Sequence, residues 1–430
     1  MSWIAFLGLA VGLLLVLLAL GVRVFVGFLI LNIVGVLLLI GPRGFGLFTN
    51  SLFETATSST LMTVALFVLM GEILFRSGTV SVLFDSVDRL VGSLRGRLYA
   101  VVIGLSTVFG ALSGSAVAVA AMLGRSVLPS MQERGYDTRL SIGTILAGAS
   151  LAPIIPPSLV AILVGSLADV SIAGLLVAGL LPGLVIAGLT LTYVLVRTRH
   201  TAQREIAAPH VFGVGTALIR MVPFLVVIFS VMGLIIMGIA TPSESAATGV
   251  FGAILVAAIF RRLNLTMVME AVASAVQTSA VILIIVASAK LFSQLLSFAG
   301  ATRGLVSVVA GLDLPPDVMF LIMMLIPFVL CMFIDWLAFM LLSIPIYQPI
   351  VTALDFDPIW FWTLFMINLT VGSMTPPFGY TLFALKGANP DLSTRDVFAA
   401  AWPIVGIFVA AMVILWALPG IVTTLPGLIR

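Results

Sequence analysis

Residues 150–163 read SLAPIIPPSLVAIL, and residues 371–385 read VGSMTPPFGYTLFAL. Each is an apolar stretch broken by a double proline, and Pro156-Pro157 and Pro376-Pro377 lie 220 positions apart. Proline lacks a backbone N–H and its ring clashes with the preceding turn, so each pair breaks a helix and frees carbonyls. The same offset of 220 relates Pro129 to Pro349, Tyr136-Asp137 to Phe356-Asp357, and Ser115 to Asp335. One proline match could be chance; a run of ungapped matches indicates an internal duplication. The expected division is an N-terminal helix over 1–20, a first repeat over 21–200, a linker over 201–216 and a second repeat over 217–430. Paired, proline-broken helices in duplicated halves point to a secondary transporter with its site at the repeat interface.

Composition supports the setting. Of 430 residues, 61% are apolar and 9% charged, where a soluble protein carries about 25% charged residues. Too few charges remain to coat a soluble domain, so the reading is an all-α polytopic membrane protein, surrounded by lipid bilayer. Net charge is only +3, with no basic run, so no nucleic-acid partner is expected. Cys331 is alone and the two histidines, His200 and His210, share one polar loop. That excludes a disulfide framework and a cysteine metal site, and leaves an intramembrane Ser–His hydrolase without its base. No P-loop occurs. The N-terminus reads as a start-transfer segment rather than a cleaved signal.

About 11–12 spans are expected from apolar segments such as Trp3–Leu20, Leu98–Leu112, Ile172–Val196 and Val276–Phe298. Residues 76–97 differ: Val80, Leu83, Phe84, Val87, Leu90, Val91 and Leu94 form one apolar stripe, which predicts a helix lying in the membrane interface. Residues 261–276 read as a weaker second copy. The loop with Arg197, Arg199 and Arg204 is expected to be cytoplasmic.

Each repeat carries two irregular pieces. The first is a re-entrant hairpin, expected at about 104–130 and 326–350, with tips at Gly110–Ser115 and Phe333–Trp336. Ser113-Gly114-Ser115 alone would also suit a small-residue packing face, but its pairing with Asp335 favours the hairpin. The second piece is a broken helix, expected at about 141–168 and 359–386. Freed carbonyls with Ser and Thr hydroxyls are hard oxygen ligands suited to sodium, and the half-helix beyond the prolines offers unpaired N–H groups to an anion. The expected sodium ligands are Ser113, Ser115, Ser150, Pro153 (through its carbonyl), Ser373 and Thr375; the expected substrate contacts are Ser115, Ser158, Asp335 and Thr375. Asp335 stands in an otherwise uncharged stretch, which makes it a functional candidate, the alternative being a helix-end residue that reaches the interface. Lys290 has similar standing but can snorkel. Glu72 and Glu244 read as structural, Glu244 because it sits in a first turn behind Pro242.

At these motifs the chain resembles the large membrane subunit of the tripartite ATP-independent periplasmic (TRAP) transporters. The carrying residues are Ser113–Ala118, Gly135-Tyr136-Asp137, Ile155–Ser158, Val170-Ser171-Ile172, Leu181-Pro182-Gly183, Thr241–Glu244, Met332–Asp335 and Thr375–Gly379, in family order along nearly the whole chain. The resemblance implies an inverted-repeat, elevator-type ion transporter fold with two re-entrant hairpins and two broken helices, divided into scaffold and transport domains, with the helix over 1–20 in the scaffold. It implies sodium-coupled symport of a small organic acid, a carboxylate, across a bacterial inner membrane. It also implies two partners, a periplasmic substrate-binding protein and a small membrane subunit. Ser113 and Ser115 match the first hairpin tip, Ser158 the serine after the double proline, Asp335 the second hairpin and Thr375 the second break. Relatives often carry an aspartate where Val119 stands. A stand-alone organic-anion carrier and an ion channel are the alternative functions; an enzyme is not expected.

Overall fold

The computed structural model describes residues 2–91, 97–113, 115–199 and 213–429. Among them the chain is helical, with no strand. The first repeat contains α2 (Val24–Leu39), α3 (Phe45–Ala56), α4 (Ser59–Arg76), α5 (Val80–Val91), α6 (Arg97–Ser113), α7 (Ala116–Ser126), α8 (Leu128–Glu133), α9 (Thr138–Leu151), α10 (Leu159–Leu167), α11 (Ile172–Ala178) and α12 (Leu180–Thr198), preceded by α1 (Trp3–Ala19). The second contains α13 (Val214–Ile236), α14 (Pro242–Ile259), α15 (Leu265–Phe298), α16 (Ala301–Gly311), α17 (Pro316–Leu330), α18 (Trp336–Ala353), α19 (Pro358–Ser373), α20 (Tyr380–Ala388), α21 (Thr394–Ala417) and α22 (Gly420–Thr423).

Among the described residues, six helices are long and apolar enough to cross a membrane, and seven if the bent α3–α4 pair is one span. The expectation of about 11–12 also counted shorter apolar segments; among the described residues there are five apolar helices of 10–17 residues, one of which, Ala301–Gly311, was not among the expected spans. Two of those, within α6 and α17, are hairpin arms that need not cross. The linker over 201–212 lies outside the described residues. The stripe of residues 76–97 forms α5, with 92–96 outside the described residues. Its Leu83 and Val87 are buried, and the helix packs on α6 and α13. The expected second copy over 261–276 is not a separate element. No glycine or proline interrupts Leu265–Phe298, so one 34-residue helix, roughly 51 Å long, runs straight through.

The helices form two packing groups: α1–α4 with α13–α16, and α6–α12 with α17–α22. They meet where α4, α15 and α16 touch α6, α10 and α18. Both groups take helices from both repeats, and the repeats run in opposite senses. Arg139, in the first turn of α9, pairs at 2.8 Å with Asp396, in the first turn of α21. Trp360, in the first turn of α19, donates its Nε1–H at 3.1 Å to the Leu415 carbonyl in the last turn of α21. So α9 runs parallel to α21 and its counterpart α19 runs antiparallel, which is an inverted repeat.

The Tyr/Phe-Asp pair performs the same two tasks in each repeat. Tyr136 packs edge-on against Tyr99 at 5.0 Å, and Phe356 packs against Phe320 at 6.2 Å. Each contact joins the outer end of a hairpin's first arm to the loop that follows its second arm. Both ends therefore lie on one side and the hairpin is re-entrant. The next residue caps the broken helix: Asp137 accepts from Leu140 N at 2.7 Å and Asp357 from Trp360 N at 2.8 Å. The hairpin arms reach outward to Arg97 and Pro316, beyond the expected starts near 104 and 326.

Candidate functional site

The two breaks meet. The first runs from Leu151 to Ser158 between α9 and α10, the second from Met374 to Gly379 between α19 and α20. Ser150, at the end of α9, donates its hydroxyl at 3.2 Å to Sδ of Met374, at the end of α19. Ser150, Ser158, Ser373 and Thr375 are each at most 1% exposed, so four hydroxyls surround the junction in the core. Both Pro-Pro peptides are cis.

Ser150 donates to sulfur; the other three hydroxyls are each oriented by a backbone carbonyl. Ser158 donates to the Pro153 carbonyl and accepts from Ala161 N at 3.2 Å, capping α10. Ser373 donates to the Thr370 carbonyl at 2.7 Å, and Thr375 to the Val371 carbonyl at 2.6 Å. A hydroxyl that spends its proton on a carbonyl keeps its oxygen lone pairs, so these side chains can still face a cation. Pro153 and Ser373 are equivalent under the 220 offset, and each carbonyl has proline at the fourth following position, where a helix would supply its donor.

Glycines let the hairpins close on the breaks. A Cβ on Gly110 would lie 2.6 Å from Cα of Ala152, and one on Gly372 would lie 2.4 Å from Cβ of Cys331. Ala152 and Gly372 are equivalent positions, so the same approach is made with the glycine on the hairpin in one repeat and on the broken helix in the other. Gly379 is also crowded: its Cβ would lie 2.8 Å and 2.9 Å from the carbonyl oxygens of Ser373 and Thr375.

Four half-helices start at the hairpin tips and breaks. Ser115 caps α7 by accepting from Ala118 N at 3.3 Å, and Asp335 caps α18 by accepting from Leu337 N at 3.0 Å and Ala338 N at 3.3 Å. Ser158 caps α10. Only α20, which begins after Gly379, has no side-chain cap. Leu382 N turns back to the Gly379 carbonyl at 2.9 Å, and no side chain caps Tyr380 N or Thr381 N; anions bind well at such a start. Thr381, fully buried in that first turn, lies 3.5 Å from the Ser373 hydroxyl.

The predicted residues therefore divide. Ser150, Pro153, Ser158, Ser373 and Thr375 line the two breaks. Asp335 is exposed on the second hairpin tip, where its carboxylate serves α18. Ser115 holds the equivalent place on the first tip and is half-buried. The side chain of Ser113 and all of Gly114 lie outside the described residues. Sequence reasoning missed Met374 and Thr381, and it did not separate the uncapped start of α20 from the start of α10, which Ser158 caps. Applying the 220 offset to Ser150 would also have found Thr370, whose hydroxyl is buried beside the second break. Glu72 and Glu244 are structural: Glu72 pairs with Arg76 at 2.7 Å, and Glu244 completes a capping box with Thr241.

A family description, Tripartite ATP-independent periplasmic transporter, DctM component, matches residues 11–421. The chain is 28% identical over 382 residues to the 2,3-diketo-L-gulonate TRAP transporter large permease protein YiaN of Escherichia coli K12, covering 87% of this chain and 88% of that protein. It is also 28% identical over 398 residues to the ectoine TRAP transporter large permease protein TeaC of Halomonas elongata, covering 91% and 92%. The two permeases are named for different compounds. Among solved structures, the YdaH transporter of Alcanivorax borkumensis matches with a TM-score of 0.65 over 89% of this chain and 90% of that one, at 15% identity, a likeness of fold alone.

Proposed function

Because the chain belongs to the DctM component family of tripartite ATP-independent periplasmic transporters, a family of multi-pass membrane permeases rather than enzymes, we propose that it couples sodium to the import of a small organic acid. The observation that carries this reading is the meeting of the two breaks at Ser150 and Met374 beside the uncapped start of α20. Carbonyls and hydroxyls at the breaks are neutral oxygens in dry surroundings, a donor set that fits sodium. Sodium would be cargo here, held by Ser150, Ser373, Thr375 and the Pro153 carbonyl. The substrate carboxylate would take the free N–H groups of α20, next to Thr375 and Thr381. Ser115 and Asp335, on the two tips, would close over the acid from either side.

In this reading α6–α12 with α17–α22 are the transport domain, and α1–α4 with α13–α16 the scaffold. The transport domain moves against α4 and α15, presenting the same buried junction to each side of the bacterial inner membrane in turn. A periplasmic substrate-binding protein delivers the acid, and a small membrane subunit completes the scaffold. The test is uptake into proteoliposomes holding this chain, the small subunit and the binding protein, with the acid that the binding protein retains. Uptake should collapse without an inward sodium gradient; uptake indifferent to that gradient would overturn the coupling.

A further inference from the structure

On the membrane side where α4, α11 and α14 begin, the two packing groups leave a cavity of about 410 Å³ between them, lined by Ser58, Ser166, Asp169, Ser171, Pro242 and Lys290 among others. This side is opposite the one richer in arginine, although Arg303 follows the end of α15 on the cavity's own side. Arg76 and Arg262 lie at the far ends of α4 and α14, and Arg197 at the far end of α12. By the distribution of positive charge the cavity faces away from the cytoplasm.

Lys290 is the one charge in α15 after Glu270, and it is half-buried. An amine at such depth needs water, an anion or a headgroup. Among the described residues, neither Lys290 nor Asp169 stands in an ion pair within 4.0 Å. Lys290 comes from one packing group and Asp169 from the other, so the cavity has a cation on one wall and an anion on the facing wall. Asp169 also lies in the turn between α10 and α11, so the cavity borders the half-helix that follows the first proline break.

We propose that this cavity is an outer docking site for a small carboxylate, anchored by the Lys290 ammonium and occupied before the acid reaches the breaks. The facing Asp169 selects a single carboxylate, because a second negative group would meet it. That the bound anion is cargo rests on the importer reading; that an anion binds at Lys290 does not.

The test uses Ser166→Cys, with Ala173→Cys as a second reporter on the same wall, each on a Cys331→Ser background in the full chain in nanodiscs. The probes are the anionic sulfonatoethyl and the cationic trimethylammonioethyl methanethiosulfonates. Lys290→Gln should lower the anionic-to-cationic rate ratio by about fivefold or more, and Asp169→Asn should raise it, as one charge a few ångströms from the reporter implies. Lys290→Arg should keep the ratio. Acetate, but not acetamide, should slow the anionic reagent, and Lys290→Gln should remove that protection. A ratio unmoved by Lys290→Gln at both reporters would mean that the amine leaves the cavity for the interface, and would overturn the proposal. So would equal effects of acetate and acetamide. No readout uses a sodium gradient, so a failed uptake assay would count against the importer reading and not against this site.

Discussion

Asp335 joins an observed structural role to the functional one proposed for it. Its carboxylate caps α18 through two backbone N–H groups, and asparagine caps a helix about as well as aspartate. Asp335→Asn therefore removes the charge and leaves the cap. The expected result is normal membrane insertion and a loss of transport of about ten- to hundredfold, the scale of one lost charged hydrogen bond; near-wild-type uptake would remove Asp335 from the site. Gly372 is the opposite case, a residue whose value is the space it leaves. Gly372→Ala places a Cβ 2.4 Å from Cβ of Cys331, and overpacking of this kind costs about 1–3 kcal/mol. Thermal unfolding in detergent should show the loss, and the double variant with Cys331→Gly should recover much of it, because it removes the atom that is struck. The sequence displayed the double prolines and the lone aspartate because their chemistry is unusual in an apolar setting. It did not display Gly372, since one glycine among many in membrane helices carries no sign of what approaches it.

Among the helices, α5 was readable from its stripe because amphipathic spacing is a local property; its partners were not. Its Asp85 carboxyl is pushed above the usual carboxylate range, first by burial and then by Asp88, while Arg220 on α13 draws it down. A carboxyl with a raised folded-state pKa contributes stability below its unfolded pKa and loses that contribution as pH rises through the folded one. Asp85→Asn should therefore raise the melting temperature at neutral pH, with the gain vanishing in acid. A gain that is the same at both ends of the pH range would show that charge is not the cause. The Arg139–Asp396 pair, in contrast, reports on helix direction more than it stabilises. Its side chains are 59% and 35% exposed, and surface pairs contribute about 0–1 kcal/mol. Arg139→Ala should shift unfolding only slightly, leaving the contact of α9 with α21 to side-chain packing around Gly143 and Ile404.

At the scale of the molecule, the inverted repeat makes a directional prediction. The Arg139–Asp396 and Trp360–Leu415 contacts put the two hairpin bases at opposite ends of α21, the first, with Glu133, on the arginine-rich side and the second, with Asp313, on the other. A membrane-impermeant thiol reagent added to intact cells should label Asp313→Cys and spare Glu133→Cys until the membrane is opened; labelling of both from outside would break the inversion. By itself the sequence determined the membrane class, the duplication, the two broken helices and the hydroxyls and carbonyls at them. Composition, proline chemistry and a constant offset are local or additive, and can be counted along a chain. Only the tertiary structure decided that the two breaks touch at Ser150 and Met374, that α20 alone among the four half-helices starts uncapped, and that Asp335 spends its carboxylate on α18. It also decided that Lys290 shares a cavity with Asp169. Each of these pairs segments far apart in the chain, or depends on whether a side chain turns back to its own backbone, and spacing along a sequence encodes neither.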